Sequence, residues 1–170
     1  MSAPYLLKWR ILCMNIAFYD TRMNEKYRTI LIKEKEVNYD GEIFDSPIII
    51  VDMLRKTTDL HNMAEEYCYM LAMNTKSRLL GLFFISKGNV NSNIVGTREV
   101  FIRALLIGAS QIVLCHNHPS KDCMPSWEDI QMTKKFVGAG RLLNVTLADH
   151  IIIGGDEYYS FHENEELYKW

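Results

Sequence analysis

The stretch QIVLCHNHPS, residues 111–120, constrains the fold more than any other part of the chain. Ile112 and Leu114 alternate with Val113 and Cys115, so a strand here is apolar on both faces, which suits a sheet covered by helices on both sides. Residues two apart on a strand share a face. His116 and His118 therefore project together where the sheet ends at Pro119, and offer two imidazoles to one cation.

The rest of the chain supplies the layers around this strand. YRTILIKEKEVNYDGEIF (27–44) reads as two short strands about a charged turn. Ser46-Pro47 offers an N-cap and a first-turn proline for a helix to about Lys56, with a second helical piece near Asp59 to Glu65. EYCYMLAMNTKSRLLGLFFIS (66–86) reads as a hairpin about NTKSR, and GNVNSNIVG as a loop. TREVFIRALLIGAS places Val100, Phe101, Ala104, Leu105 and Gly108 on one helical stripe. A helix from about Ser126 to Gly138 follows, and NVTLADHIIIGGDEYYSF closes as a hairpin at Gly154-Gly155. No internal repeat is visible. Strands and helices in this order predict an α/β (α+β) layered domain, not a bundle or a sandwich.

A chain of 170 residues suits one domain, with residues 1–26 as an N-terminal extension and the domain over 27–170. The formal net charge of −2 gives no sign of the basic surface that phosphate-backbone binding needs. The four cysteines form no close CxxC pair, which argues against a disulfide framework and places the chain in the cytoplasm with reduced thiols. Lys8 and Arg10 interrupt the apolar start, so neither a signal peptide nor a membrane span is expected, and Met14 and Met23 are alternative starts. An exposed edge strand from the N-terminal segment gives a homo-oligomer a place to form.

A third metal ligand must come from outside the strand. The helix beginning at Ser126 returns the chain to the strand end and presents Asp129 in its first turn. Two imidazoles and a carboxylate match a catalytic zinc, which keeps a fourth position open. The same segment is also an ordinary helix start, with Ser126 as cap and Asp129 closing a capping-box-like arrangement.

His116-Asn117-His118, seven residues, Ser126, two residues and Asp129 together resemble the JAMM (JAB/MPN+) metalloprotease pattern, H-x-H-x7-S-x2-D. TREVFIRALLIGASQIVLCHNHPS, PSWEDI and ADHIIIG look more specifically like its bacterial RadC-type branch, over about residues 27–161. The resemblance implies a mixed β-sheet flanked by helices, JAB/MPN-like and related to the cytidine-deaminase-like architecture. It also implies one zinc (Zn2+) per chain held by His116, His118 and Asp129, and hydrolysis of peptide or isopeptide bonds in a peptide or protein substrate. The family's glutamate falls on Glu66, at the start of the strand leading to MNTKSR, with Glu65 as the adjacent competitor that would point to the other face. Glu66 would then serve as general base and acid, and Ser126 as an oxyanion donor while capping its helix.

Departures from the family bear on the rest. Lys121 stands where a glycine usually follows HNHPS, and Ala148 where leucine is common. The longer RadC-type proteins carry an N-terminal helix-hairpin-helix region for which this chain has no room, which weakens any association with DNA. A DNA-associated or protein-binding module with structural zinc is the alternative reading. Asp149-His150 is expected to form a hydrogen-bonded core pair, and His61 and His162 to lie at the surface. HNH as three consecutive residues is not an HNH nuclease, and no H-x-E with P-C-x-x-C supports a zinc deaminase.

Overall fold

A computed structural model describes residues 13–41, 43–88 and 95–170. Seven strands form one mixed sheet: β1 (Cys13–Met23), β2 (Thr29–Asp40), β3 (Glu66–Met73), β4 (Leu79–Gly88), β5 (Gln111–Asn117), β6 (Thr146–Gly154) and β7 (Glu157–Ser160). Their spatial order is β2-β1-β4-β3-β5-β6-β7. Among the described residues only β1–β4 and β5–β6 pair in parallel. Three helices complete the layers: α1 (Pro47–Thr58), α2 (Thr97–Leu106) and α3 (Trp127–Leu143).

The doubly apolar β5 divides two cores. Val113 and Cys115 pack with Ile50, Val51, Met53 and Leu54 of α1, whereas Ile112 and Leu114 pack with Val100, Phe101 and Ala104 of α2 and Phe136 of α3. Helices thus cover both faces, as the alternation on β5 implied. Leu105 departs from its expected stripe and is exposed. Ser46 occupies the cap position of α1 without a side-chain cap bond, and Pro47 opens the helix. The piece after α1 is a single 3-10 turn, Leu60–Asn62.

The N-terminal half corrects two expectations. Residues 13–23, within the stretch read as an extension, are β1, inside the sheet between β2 and β4 and burying Ile16 and Phe18. Residues 29–40 are one strand, not two. Lys33, Glu34, Lys35 and Glu36 stay exposed on this edge strand, and the expected turn is only a bulge opposite Phe18/Tyr19. The real turn is Asn24–Arg28, where the Asn24 Oδ1 accepts from the backbone N–H groups of Lys26 and Arg28 and Tyr27 takes a φ of 56°. The β3–β4 turn repeats this: Asn74 Oδ1 accepts from Lys76 and Arg78, and Ser77 has a φ of 54°. MNEKYR and MNTKSR are thus one turn used twice, a short repeat that sequence reading overlooked.

α3 runs past Gly138 to Leu143 and ends on Asn144 in the left-handed conformation. Its Gly140 is no terminator: a Cβ there would strike the Val145 carbonyl, so the glycine permits close packing against the chain entering β6. The GNVNSNIVG loop lies mostly outside the described residues.

Candidate metal centre

The site forms where β5 ends. His116 and His118 point to one face, as their spacing requires, and α3 brings Asp129 over them. His116 Nε2 lies 3.0 Å from His118 Nε2. Asp129 Oδ1 lies 3.2 Å from His116 Nε2, and Oδ2 lies 3.4 Å from His118 Nε2. Ligand atoms bonded to a tetrahedral zinc at about 2.0–2.1 Å stand about 3.4 Å apart. The three side chains therefore fit a metal of this size and donor preference, and all of their candidate ligand atoms fall within 4.8 Å of one another. The His118 and Asp129 side chains remain 13% and 12% exposed, so the cluster opens toward solvent.

Each ligand is held from behind. His118 Nδ1 lies 2.8 Å from the Asp122 carbonyl, to which it donates, leaving the Nε2 lone pair facing the cluster. The loop carrying that carbonyl rests on β6: a Cβ on Gly154 would sit 2.5 Å from Cys123 N and 2.8 Å from Lys121 O, so only glycine admits it. Lys121 takes a φ of 66°, which explains why glycine is usual at this position. His116 Nδ1 lies 2.9 Å from His150 Nε2, behind the cluster.

Asp129 caps its helix and lies in the candidate metal cluster. Its backbone N–H donates to Ser126 Oγ at 3.1 Å, while Oδ2 accepts from Ser126 N at 2.8 Å and from Ser126 Oγ at 2.6 Å, a complete capping box. Burial would push this carboxyl up, but the neighbouring His116 and His118 rings and the Ser126 hydroxyl hold it well below the usual carboxylate range. For His118 burial lowers the pKa, and Asp129, the Asp122 carbonyl and Glu66 together raise it. The Ser126 hydroxyl proton is engaged by Asp129 and must leave it to serve a substrate.

Glu66 and Glu65 separate cleanly. Glu65 Oε2 pairs with Lys87 Nζ at 2.5 Å. Cys68 pairs with His116 across β3 and β5, so Glu66, two residues earlier, shares the face of the histidines and reaches the His118 end of β5. Its charge is felt at His118 and at Cys68, whose buried thiol is pushed up to about 12.

Two contributors escaped sequence reading. Asn117, between the histidines, faces the other way and is 1% exposed. Its Oδ1 accepts from Tyr67 N at 2.8 Å, and its Nδ2 donates to the Met63 and Glu65 carbonyls at 3.2 and 3.0 Å, pinning the segment that delivers Glu66. The middle letter of HNH carried this signal, because a buried amide needs several partners. His150 is the other: it and Asp149 are buried and hydrogen-bonded as expected, but their side chains serve separate networks. Neighbours on a strand face opposite sides, and the Asp149 carboxylate touches only the backbone N–H of His150. His162 is exposed as expected, whereas His61 is half-buried.

The model of the RadC-like JAB domain matches residues 44–167. The chain belongs to this family. JAB/MPN domains include metalloproteases, and the His-His-Asp group of this member could hold a metal ion. A UPF0758 protein of Alkaliphilus metalliredigens is 45% identical over 64% of this chain and 47% of its own length. One from Clostridium novyi is 44% identical over 75% of the chain and 55% of its own length. One from Clostridium beijerinckii is 33% identical over 82% of the chain and 58% of its own length. The chain thus spans about half the length of these curated relatives. Among the described residues no helix is long and apolar enough to cross a membrane.

Proposed function

We propose that this RadC-like JAB domain is a zinc-dependent metallohydrolase acting on peptide or isopeptide bonds of a protein substrate in the cytoplasm. The observation that carries the reading is the convergence of His116, His118 and Asp129 at tetrahedral-edge spacing, with Glu66 on the same face. His116, His118 and Asp129 would hold the metal. When bound, zinc supplies Lewis acidity, polarising a carbonyl and bringing the ionisation of water from a pKa of ~15.7 to about 7.

The chain's own groups divide the remaining work. Glu66 is the proton carrier: it takes a proton from the attacking water and returns it to the departing amine, while Glu65 is retained by Lys87. Ser126 turns its hydroxyl from Asp129 toward the oxygen that gains negative charge. The partial burial of the cluster keeps water from screening these interactions.

The test is product analysis by mass spectrometry on a peptide and isopeptide library, comparing zinc-loaded protein with Glu66→Gln. Cleavage by the wild type and a loss of about 10²–10⁴-fold in the variant, with zinc retained, is the expected result. A zinc-loaded wild type that cleaves nothing, or a variant as active as the wild type, overturns the assignment.

A further inference from the structure

Behind the metal ligands runs a buried chain of hydrogen bonds whose direction can be worked out. Thr133 Oγ1 lies 2.6 Å from the Asp129 carbonyl and 2.7 Å from His150 Nδ1. A carbonyl oxygen can only accept, so the one hydroxyl proton of Thr133 goes to Asp129. The threonine oxygen must then accept from His150, which places a proton on His150 Nδ1. The reverse assignment would set two oxygen lone pairs against each other at 2.6 Å. His150 has no exposed surface and stacks on Phe161 with planes 4° apart and centroids at 5.0 Å, so its ring can neither turn nor shed charge to water. In this setting the ring is neutral and its Nε2 is an acceptor. His116 Nδ1, 2.9 Å away, therefore donates, and the His116 Nε2 lone pair faces His118 and Asp129.

We infer that His150, oriented by Thr133, is a positioning residue that fixes the tautomer and ring plane of His116 and so presets the metal centre. The chain runs from the Asp129 carbonyl through Thr133 and His150 to His116, whose Nε2 stands 3.2 Å from the Asp129 carboxylate as a second member of the metal cluster. It ties β5, β6 and α3 into one unit, so displacement of one ligand is transmitted to another. Outer partners of this kind typically change metal affinity by 10–100-fold. Neither residue touches the substrate side of the cluster, so their effect acts through His116 and the Asp129 backbone.

This inference rests on the metal site of the proposed function but is tested apart from catalysis. Long-range proton–nitrogen correlation at pH 8, before and after one equivalent of zinc, reads the tautomer directly. His150 is expected with its proton on Nδ1 in both states, and His116 likewise once zinc is bound. A proton on His150 Nε2 overturns the inference even if the protein hydrolyses peptides. The expected tautomers in a protein that cleaves nothing would uphold it while the hydrolase reading fails.

Zinc affinity by chelator competition and the cobalt(II) absorption spectrum form the second arm. His150→Phe should weaken zinc binding on the order of 10–100-fold and alter the cobalt bands, and His150→Gln, which keeps one acceptor and one donor, should restore most of both. Thr133→Val should give a smaller loss. Unchanged affinity and spectra in the last of these and in folded His150→Phe overturn the inference. If His150→Phe does not fold, His150→Gln against Thr133→Val decides it, because a merely structural role predicts no difference in cobalt spectrum between them.

Discussion

Asp149 and His150 are neighbours in β6, yet they anchor two buried polar networks of opposite character. On the α1 side, Asp149 accepts from Ser160 Oγ at 2.6 Å, His162 N at 2.9 Å and His150 N at 2.7 Å, so its oxygens are satisfied within the hairpin formed by β6 and β7. On the α3 side, His150 belongs to a set whose last lone pairs, on His116, His118 and Asp129, converge on a point that opens to solvent. One network closes on itself and the other leaves a place for a cation. Burial of polar groups alone does not mark a reactive site; the direction of the unused lone pairs does.

The contrast is broken most severely at the ligands. Asp129→Asn should weaken zinc binding by at least about 100-fold, because it removes a ligand and not only its outer partner, whereas Asp149→Asn should leave one zinc per chain. Metal analysis of the purified variants after dialysis checks both; equal zinc in Asp129→Asn and wild type would remove Asp129 from the site.

Asn117→Ala takes their partner from three part-buried backbone groups and leaves a cavity in place of a buried amide, and should lower stability by roughly 1–3 kcal/mol in urea unfolding. Loss of Glu66-dependent activity should accompany it even where the protein remains folded. A change within experimental error of wild type would show that water replaces the amide.

The closed network should reveal itself through pH. Burial pushes the Asp149 carboxyl up to about 6, against the donors from Ser160, His162 and His150 that favour its charged form. Between the unfolded value of 3.8 and about 6 the folded protein holds a proton that the unfolded chain has lost. This contribution is therefore complete below about pH 4 and disappears as pH rises through 6, an effect of up to about 3 kcal/mol. Asp149→Asn, whose amide can satisfy the same partners with a turned Ser160 hydroxyl, should flatten that part of the stability profile. A slope that persists unchanged assigns it to another group.

The smallest effect belongs to the loop between the ligands. Lys121 holds a left-handed φ of 66°, a conformation that costs a side-chain-bearing residue about 1–2 kcal/mol, partly offset by glycine's larger unfolded-state entropy of about 0.5–1. Lys121→Gly should raise stability by a few tenths to about 1 kcal/mol in urea unfolding without altering zinc stoichiometry. A destabilised variant would show that the lysine stem makes compensating contacts.

What the sequence discloses follows the same division. β5, its ligand spacing and the start of α3 were legible because period-two alternation and a capping box are local signals carried by adjacent residues. The tandem roles of Asn117 and His150 were not, since their partners lie 50 and 17 positions away and only the pairing of strands brings them together. β1 was less legible for another reason: Ile16 and Phe18 alternate correctly, but they sit among apolar neighbours that blur the period and read as an extension, although MNEKYR already carries the turn of MNTKSR. α3 runs past its expected end at Gly138, and its later Gly140 serves close packing against the chain entering β6.

The three ligands all lie between His116 and Asp129, so gathering them closes a single short loop through Cys123. Loop-closure entropy grows with length, which makes this end of the molecule quick to assemble. The parallel pairing of β1 with β4 is different: Phe18 has to find Leu82. Contacts of such separation dominate folding times. The search time of the chain is thus expected to be set in the half of the sheet away from the candidate metal cluster.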